Sequence, residues 1–166
     1  LRRLSAAVIR DGMMVELRFD AEGAIERLRW PESAEPARTD ELWKHSCFEL
    51  FVAGVTGAAY REFNFSPSHH WAAYAFTGYR GGRSDLPVYP APTIHCERDA
   101  QRLRLSARLP CTAVAAGGQG AVRIGLAAVI EDNAGALSYW ALTHDAERPD
   151  FHLASSFGLT LDWRAG

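Results

Sequence analysis

The chain has 166 residues, 48% of them hydrophobic and 23% charged, with a formal net charge of −2. That length lets one domain bury a full core without disulfides or metals, and the composition excludes a globally disordered chain. The near-zero charge offers neither a basic stripe for nucleic acid nor an acidic tail for a basic partner, and no run approaches the roughly 18 apolar residues of a membrane span.

In chain order, Met13, Val15, Leu17 and Phe19 alternate with Met14, Glu16, Arg18 and Asp20, which predicts a half-buried strand. Ala21-Glu22-Gly23 is turn material, and Ala24 to Trp30 is expected to return as its hairpin partner. Pro31 to Pro36 reads as a loop. Ser46 to Ala53 is apolar except for Glu49 and reads as a central strand. Tyr60 to Phe65 alternates Tyr60, Glu62 and Asn64 with Arg61, Phe63 and Phe65 and stops at Ser66-Pro67. Trp71 to Phe76 runs back from that turn, and Gly78 to Pro92, with three glycines and three prolines, is expected to be a long loop. Thr93–Glu97 and Arg102–Leu109 predict a second hairpin. Gly117-Gly118-Gln119-Gly120 lacks the residues of a phosphate loop and reads as a flexible connection. Val122–Glu131, Leu137–Leu142 and Phe157–Trp163 complete the strands.

No apolar stripe of helical period persists over a dozen residues. Many short strands broken by Gly and Pro predict an all-β fold, an antiparallel β-sandwich or flattened barrel of jelly-roll type, with residues 1–166 as a single domain. Cys47, Cys96 and Cys111 show no Cys-x-x-Cys spacing, which fits a reducing compartment. Leu1 opens no leader pattern, so a cytoplasmic location is expected.

The chemistry concentrates in one row. Tyr60, Glu62 and Asn64 share a strand face, and Glu49 is stranded among Cys47, Phe48, Leu50 and Phe51. A buried polar group without a partner costs about 1–3 kcal/mol, so such a row needs water, partners or a ligand. Pairing of the two strands in matching register would bring Glu49, Glu62 and Asn64 to one cleft floor. As a structural ion pair Glu49 would take Arg38, or an arginine near Arg61. Arg38 and Trp43, where a loop enters the sheet, suit a sugar, because a guanidinium donates to hydroxyls and an indole stacks on a C–H face; the bland alternative is a salt-bridged loop with Trp43 as a core plug. Two carboxylates also admit a glycosidase, although nothing marks a nucleophile.

Six histidines raise a metal. Adjacent His69 and His70 point apart on an extended chain, and His144 and His152 flank the acidic stretch Asp145 to Phe151, where calcium or a ligand lid is conceivable without EF-hand spacing. Met13 or Met14 with one of these histidines is the haem alternative. No Gly-x-Ser-x-Gly, Walker or HExxH sequence occurs.

The stretches Arg38 to Phe51, Tyr60 to Ser68, Trp71 to Tyr74, Leu126 to Glu131, Leu137 to Leu142 and Pro149 to His152 together resemble the bacterial DOMON-like proteins related to family 9 carbohydrate-binding modules. The resemblance spans Arg38 to Phe157 and implies a β-sandwich with a ligand cleft on one sheet, in a superfamily that binds sugars or haem. It implies Arg38 and Trp43 at the cleft edge, Glu49, Glu62 and Asn64 on its floor, and Trp140 as a second aromatic wall. Ser66-Pro67-Ser68-His69 departs from the Ser-Pro-x-Gly form expected of that group. The resulting expectation is a non-catalytic module that binds a small polar ligand, most simply a saccharide or cell-wall fragment, through Arg38, Trp43, Glu49, Tyr60, Glu62, Asn64, Trp140 and His144. No resident metal or cofactor is expected. The alternative is a haem module in which His144 is a ligand.

Overall fold

The computed structural model describes residues 1–115, 120–144 and 149–162. Among these, two antiparallel sheets face each other, and the chain is an all-β sandwich. The first sheet contains β1 (Arg3–Asp11), β2 (Met14–Glu22), β8 (Thr93–Arg98) and β9 (Arg102–Pro110), in the order β1-β2-β9-β8. The second contains β3 (Leu28–Arg29), β4 (Cys47–Gly54), β5 (Tyr60–Phe65), β6 (Trp71–Phe76), β7 (Ser84–Asp85), β10 (Ala121–Asp132), β11 (Leu137–Ala141) and β12 (Leu159–Asp162). Its order is β11-β10-β4-β5-β6-β7, with β3 and β12 also on β10. A single helical turn, α1 (Cys111–Val114), follows β9.

Alternation builds the inter-sheet core. Val15, Leu17, Phe19 and Ala21 of β2 and Leu103, Leu105, Ala107 and Leu109 of β9 point inward, while Glu16, Arg18, Asp20, Arg102, Arg104 and Arg108 face outward. From the second sheet come Phe48, Leu50, Val52, Phe63, Phe65, Ala73, Ile124, Leu126 and Ala128. Phe48 sits at the centre, its ring 5.0 Å from that of Phe19 and stacked 6.4 Å from that of Trp30.

One expected pairing differs. The partner of β2 is β1, joined through Gly12 at φ 59°, and the segment after Glu22 does not return beside it. Ile25–Arg27 forms a 3₁₀ turn that buries Ile25, the Trp30 indole N–H donates to the Ile25 carbonyl at 3.1 Å, and only Leu28–Arg29 joins a strand, that strand being β10. Met13, read as the start of the core face, lies in the β1–β2 turn at 72% exposure. The 117–119 connection and Trp163 lie outside the described residues.

The second sheet is also covered on its far face. Phe51, Ala53, Tyr60, Ala72, Tyr74, Phe76, Ala127 and Phe157 form a second apolar cluster there, packed under loops rather than under a sheet. Among the described residues no helix is long and apolar enough to cross a membrane.

Candidate functional site

Register makes the floor. β4 pairs with β5 so that Glu49 lies opposite Asn64 and Phe51 opposite Glu62, and β5 pairs with β6 so that Glu62 lies opposite Tyr74. Glu49 and Glu62 are thus diagonal neighbours on the far face of the second sheet, within reach of one another for long side chains. Both are enclosed, at 3% and 4% exposure. Both line a hollow of about 540 Å³.

Its walls come from four other segments. Trp43, from the 3₁₀ turn Leu42–Lys44, meets Tyr74 edge-on at 6.0 Å. Tyr74 and Phe76 rise from β6, Tyr139 from β11, and Phe151 and His152 from the loop before β12. The loop after β6 contributes Arg80 and Arg83 to the rim. That loop turns back on itself through Arg80 at φ 50° and Gly82 at φ 61°; a side chain at Gly82 would run into the Thr77 hydroxyl.

The two carboxylates differ in their support. Asn64 Nδ2 donates to Glu62 Oε1 at 2.7 Å, and Cys47 Sγ donates to Asn64 Oδ1 at 3.6 Å. Glu49 has no hydrogen-bonding partner among the described residues, while further along the same face Glu131 receives Arg29 at 3.1 Å and pairs with His45 at 2.8 Å. Burial, then repulsion from Glu62, pushes the Glu49 carboxyl well above the ordinary range, with Arg80 opposing. Burial raises Glu62 as well, against the Asn64 hydrogen bond and the fields of Arg83 and Arg80. Burial, then Glu49, likewise pushes the Cys47 thiol up.

His152 closes one side. Its Nδ1 shares a 2.7 Å hydrogen bond with the Tyr60 hydroxyl, which also accepts the Arg80 backbone N–H at 3.2 Å. Burial, then the nearby Arg80 charge, lowers the imidazole to about 4, so the ring is neutral near pH 7. Its 3.8 Å approach to Glu62 is therefore not an ion pair at that pH. Asp150 ties the two rim loops together, accepting from the Tyr79 hydroxyl at 2.5 Å, Arg80 at 2.9 Å and the His152 amide at 3.0 Å. Although burial opposes its ionisation, these donors outweigh it and hold Asp150 below the usual carboxylate range.

Of the eight residues singled out in the sequence, Glu49, Glu62 and Trp43 line the hollow. Asn64 is fully enclosed beneath it and hydrogen-bonds Glu62, and Tyr60 hydrogen-bonds His152. Arg38 stays behind Tyr74, held by Asp85 at 2.6 Å and Asp40 at 3.1 Å with its guanidinium 5.5 Å from the Tyr74 ring centre, and does not reach Glu49. Tyr74 also donates to Asp40 at 2.7 Å. Trp140 is not brought to this face: opposite Ala128 in the pairing, it turns toward the inter-sheet side beside Leu4, Ala6 and Phe19, and Tyr139 occupies the wall. His144 is exposed, its ring 6.2 Å from Phe151, and does not line the hollow. Met13 and Met14 lie at the β1–β2 turn of the first sheet, whereas His144 follows β11 of the second. The acidic stretch 145–148 lies outside the described residues, and no group of three metal-ligating side chains occurs among those described.

Tyr74, Arg80, Arg83, Tyr139, Phe151 and His152 were not identified as wall residues from the sequence. For Tyr74 a signal existed, since Ala72, Tyr74 and Phe76 share the parity that faces Glu62 across β5–β6. A wider groove of about 930 Å³ lies at the sheet end around Glu22, Asp99 and Arg102, where Arg2 and Arg102 both pair with Glu22, at 3.7 and 3.2 Å.

No protein-family model matches the chain, and no curated protein matches it. Among solved structures, the chain is similar to a "putative carbohydrate-binding protein" from Bacteroides uniformis, with a TM-score of 0.73 and 17% identity over 93% of this chain and 76% of that one. At that identity the likeness establishes the sandwich fold.

Proposed function

We propose that the hollow over Glu49 and Glu62 is a saccharide-binding site that holds its ligand without chemical turnover. The observation that carries this reading is Glu49, a carboxylate at 3% exposure that opens on a 540 Å³ hollow and finds no hydrogen-bond donor in the described protein. Its oxygens therefore open on the hollow, where water or the hydroxyls of a ligand complete them. Trp43, Tyr139 and Phe151 supply ring faces for sugar C–H groups, and Arg80 and Arg83 stand where further hydroxyls would be held. The likeness to the Bacteroides structure agrees with this reading. The DOMON-like assignment remains part of the same proposal.

Isothermal titration with a panel of disaccharides tests it. Binding is expected in the unmodified protein, weakened at least about tenfold in Trp43→Ala by loss of one aromatic stacking surface. The melting temperature of that variant should stay within a few degrees. Absence of binding across the panel would sink the reading.

Glycoside turnover has one observation in its favour, namely that Glu49 and Glu62 both keep protons above the usual carboxylate range. Release of reducing sugar that ceases in both Glu49→Gln and Glu62→Gln would establish it. Release unchanged by either would remove it.

A further inference from the structure

Resting on the saccharide reading, the geometry points to an amino sugar as the ligand, with its ammonium group seated on Glu49 between the aromatic walls. The argument starts from the charges around Glu49, each of which is already engaged or lies on the rim. Lys44 Nζ is 2.6 Å from Glu41, and Arg80 donates to Asp150 at 2.9 Å. The Arg83 guanidinium stands 4.9 Å from the Tyr74 ring centre. Glu62 has its own donor in Asn64, and His152 is bonded to Tyr60. No cation of the described protein therefore hydrogen-bonds Glu49, whereas Glu131 on the same sheet face has Arg29 at 3.1 Å.

A second observation concerns what surrounds the carboxylate. Trp43, Tyr139 and Phe151 line the hollow, and ring faces attract a cation that has left water. An ammonium carries three donors on one tetrahedral centre, so it serves Glu49 and still reaches Glu62 or a ring hydroxyl. A neutral hydroxyl offers one donor and no charge.

The proton balance follows. In the free protein, burial keeps Glu49 protonated above the ordinary carboxylate range. Seating an ammonium beside it favours the carboxylate, so the carboxyl proton passes to buffer and the ligand keeps its own.

The test is calorimetric titration of glucosamine disaccharide, N,N′-diacetylchitobiose and cellobiose at about pH 6, each in two buffers of different ionisation heat. The expected result is that the diamine binds at least about tenfold tighter than either neutral sugar and releases protons on binding. In Glu49→Gln, which keeps side-chain volume and removes the charge, both the preference for the diamine and the proton release should disappear. Equal binding of the three sugars without proton release would overturn the inference and leave the saccharide site standing. A preference that survives in Glu49→Gln would also overturn it, because the amine would then sit elsewhere. If no disaccharide binds, the saccharide reading falls and this inference with it.

Discussion

At the scale of residues, Glu49 and Glu131 share a strand-pair face and are buried to similar extents, yet only Glu131 has protein groups at hydrogen-bonding distance, the Arg29 guanidinium and the His45 ring. The contrast makes Glu49 a cost to the empty protein. Because its native carboxyl binds its proton more tightly than the unfolded chain does, stability falls as pH rises from about 4.3 toward the raised native value. Glu49→Gln is expected to flatten that fall and to raise the melting temperature near pH 7 by at least about 2 °C, as thermal melts across pH would show. His152 acts in the opposite sense. Its native value of about 4 lies below that of the unfolded chain, so its contribution is complete above about 6.5 and is lost as pH falls toward 4. His152→Gln is expected to remove that acid-side loss, read from urea midpoints between those limits. Much of this was legible beforehand: alternation alone put Tyr60, Glu62 and Asn64 on one face, and a matching register brought Glu49 there. What alternation does not give is depth, so Asn64 was read as a ligand contact although it lies under Glu62 with no exposed surface. Nor does it give parity where both faces are apolar. Leu137, Tyr139 and Ala141 alternate with Ser138, Trp140 and Leu142, so nothing in the stretch marks Trp140 as the inward residue.

At the scale of elements, two joints hold the frame around the site. Arg61, at the end of β5, donates from Nη1 to the carbonyls of Thr112, Ala113 and Ala115 at 3.3, 2.6 and 3.0 Å, clamping α1 of the first sheet's connection to the second sheet. Charge-assisted hydrogen bonds contribute about 1.5–3 kcal/mol, so Arg61→Ala should lower unfolding free energy by an amount in that range, measurable by urea denaturation. Gly125 is the second joint. A Cβ there would stand 2.9 Å from Phe157 Cδ1 and 3.2 Å from the Ser156 carbonyl, so the strand β10 runs bare where the final segment crosses it. Phe157 in turn stacks on Phe51 at 5.8 Å. Gly125→Ala is expected to destabilise by about 1–3 kcal/mol through overpacking and to increase hydrogen exchange over residues 151–157. The turn after β5 offers a related case. His69 takes φ 73°, a left-handed conformation that glycine adopts more readily than histidine.

At the scale of the whole molecule, one sheet serves two hydrophobic clusters, and its strands send alternate residues to each. Truncations should sort by face. Phe48→Ala, in the inter-sheet cluster, is expected to cost about 3–5 kcal/mol, whereas Phe151→Ala, half-buried at the hollow, should cost under about 1 kcal/mol and act on ligand affinity instead. Paired melts and titrations of the two variants check this. The sandwich itself could be read from strand spacing and from the burial pattern of Val15 to Ala21 and Leu103 to Leu109. The hairpin partner of β2 could not, because Leu4, Ala6 and Val8 form a half-buried edge with weak alternation, while Ile25 sits in a 3₁₀ turn and Leu28, just after it, pairs with β10 instead.

The far-face cluster is roofed by loops, and those loops draw their order from a few tethers such as Asp150 to Tyr79 and Arg80. The roof can therefore be remodelled, in length or in chemistry, without disturbing any side chain between the two sheets. A scaffold so divided tolerates change in its roof while the inter-sheet core stays on the opposite side of the same strands.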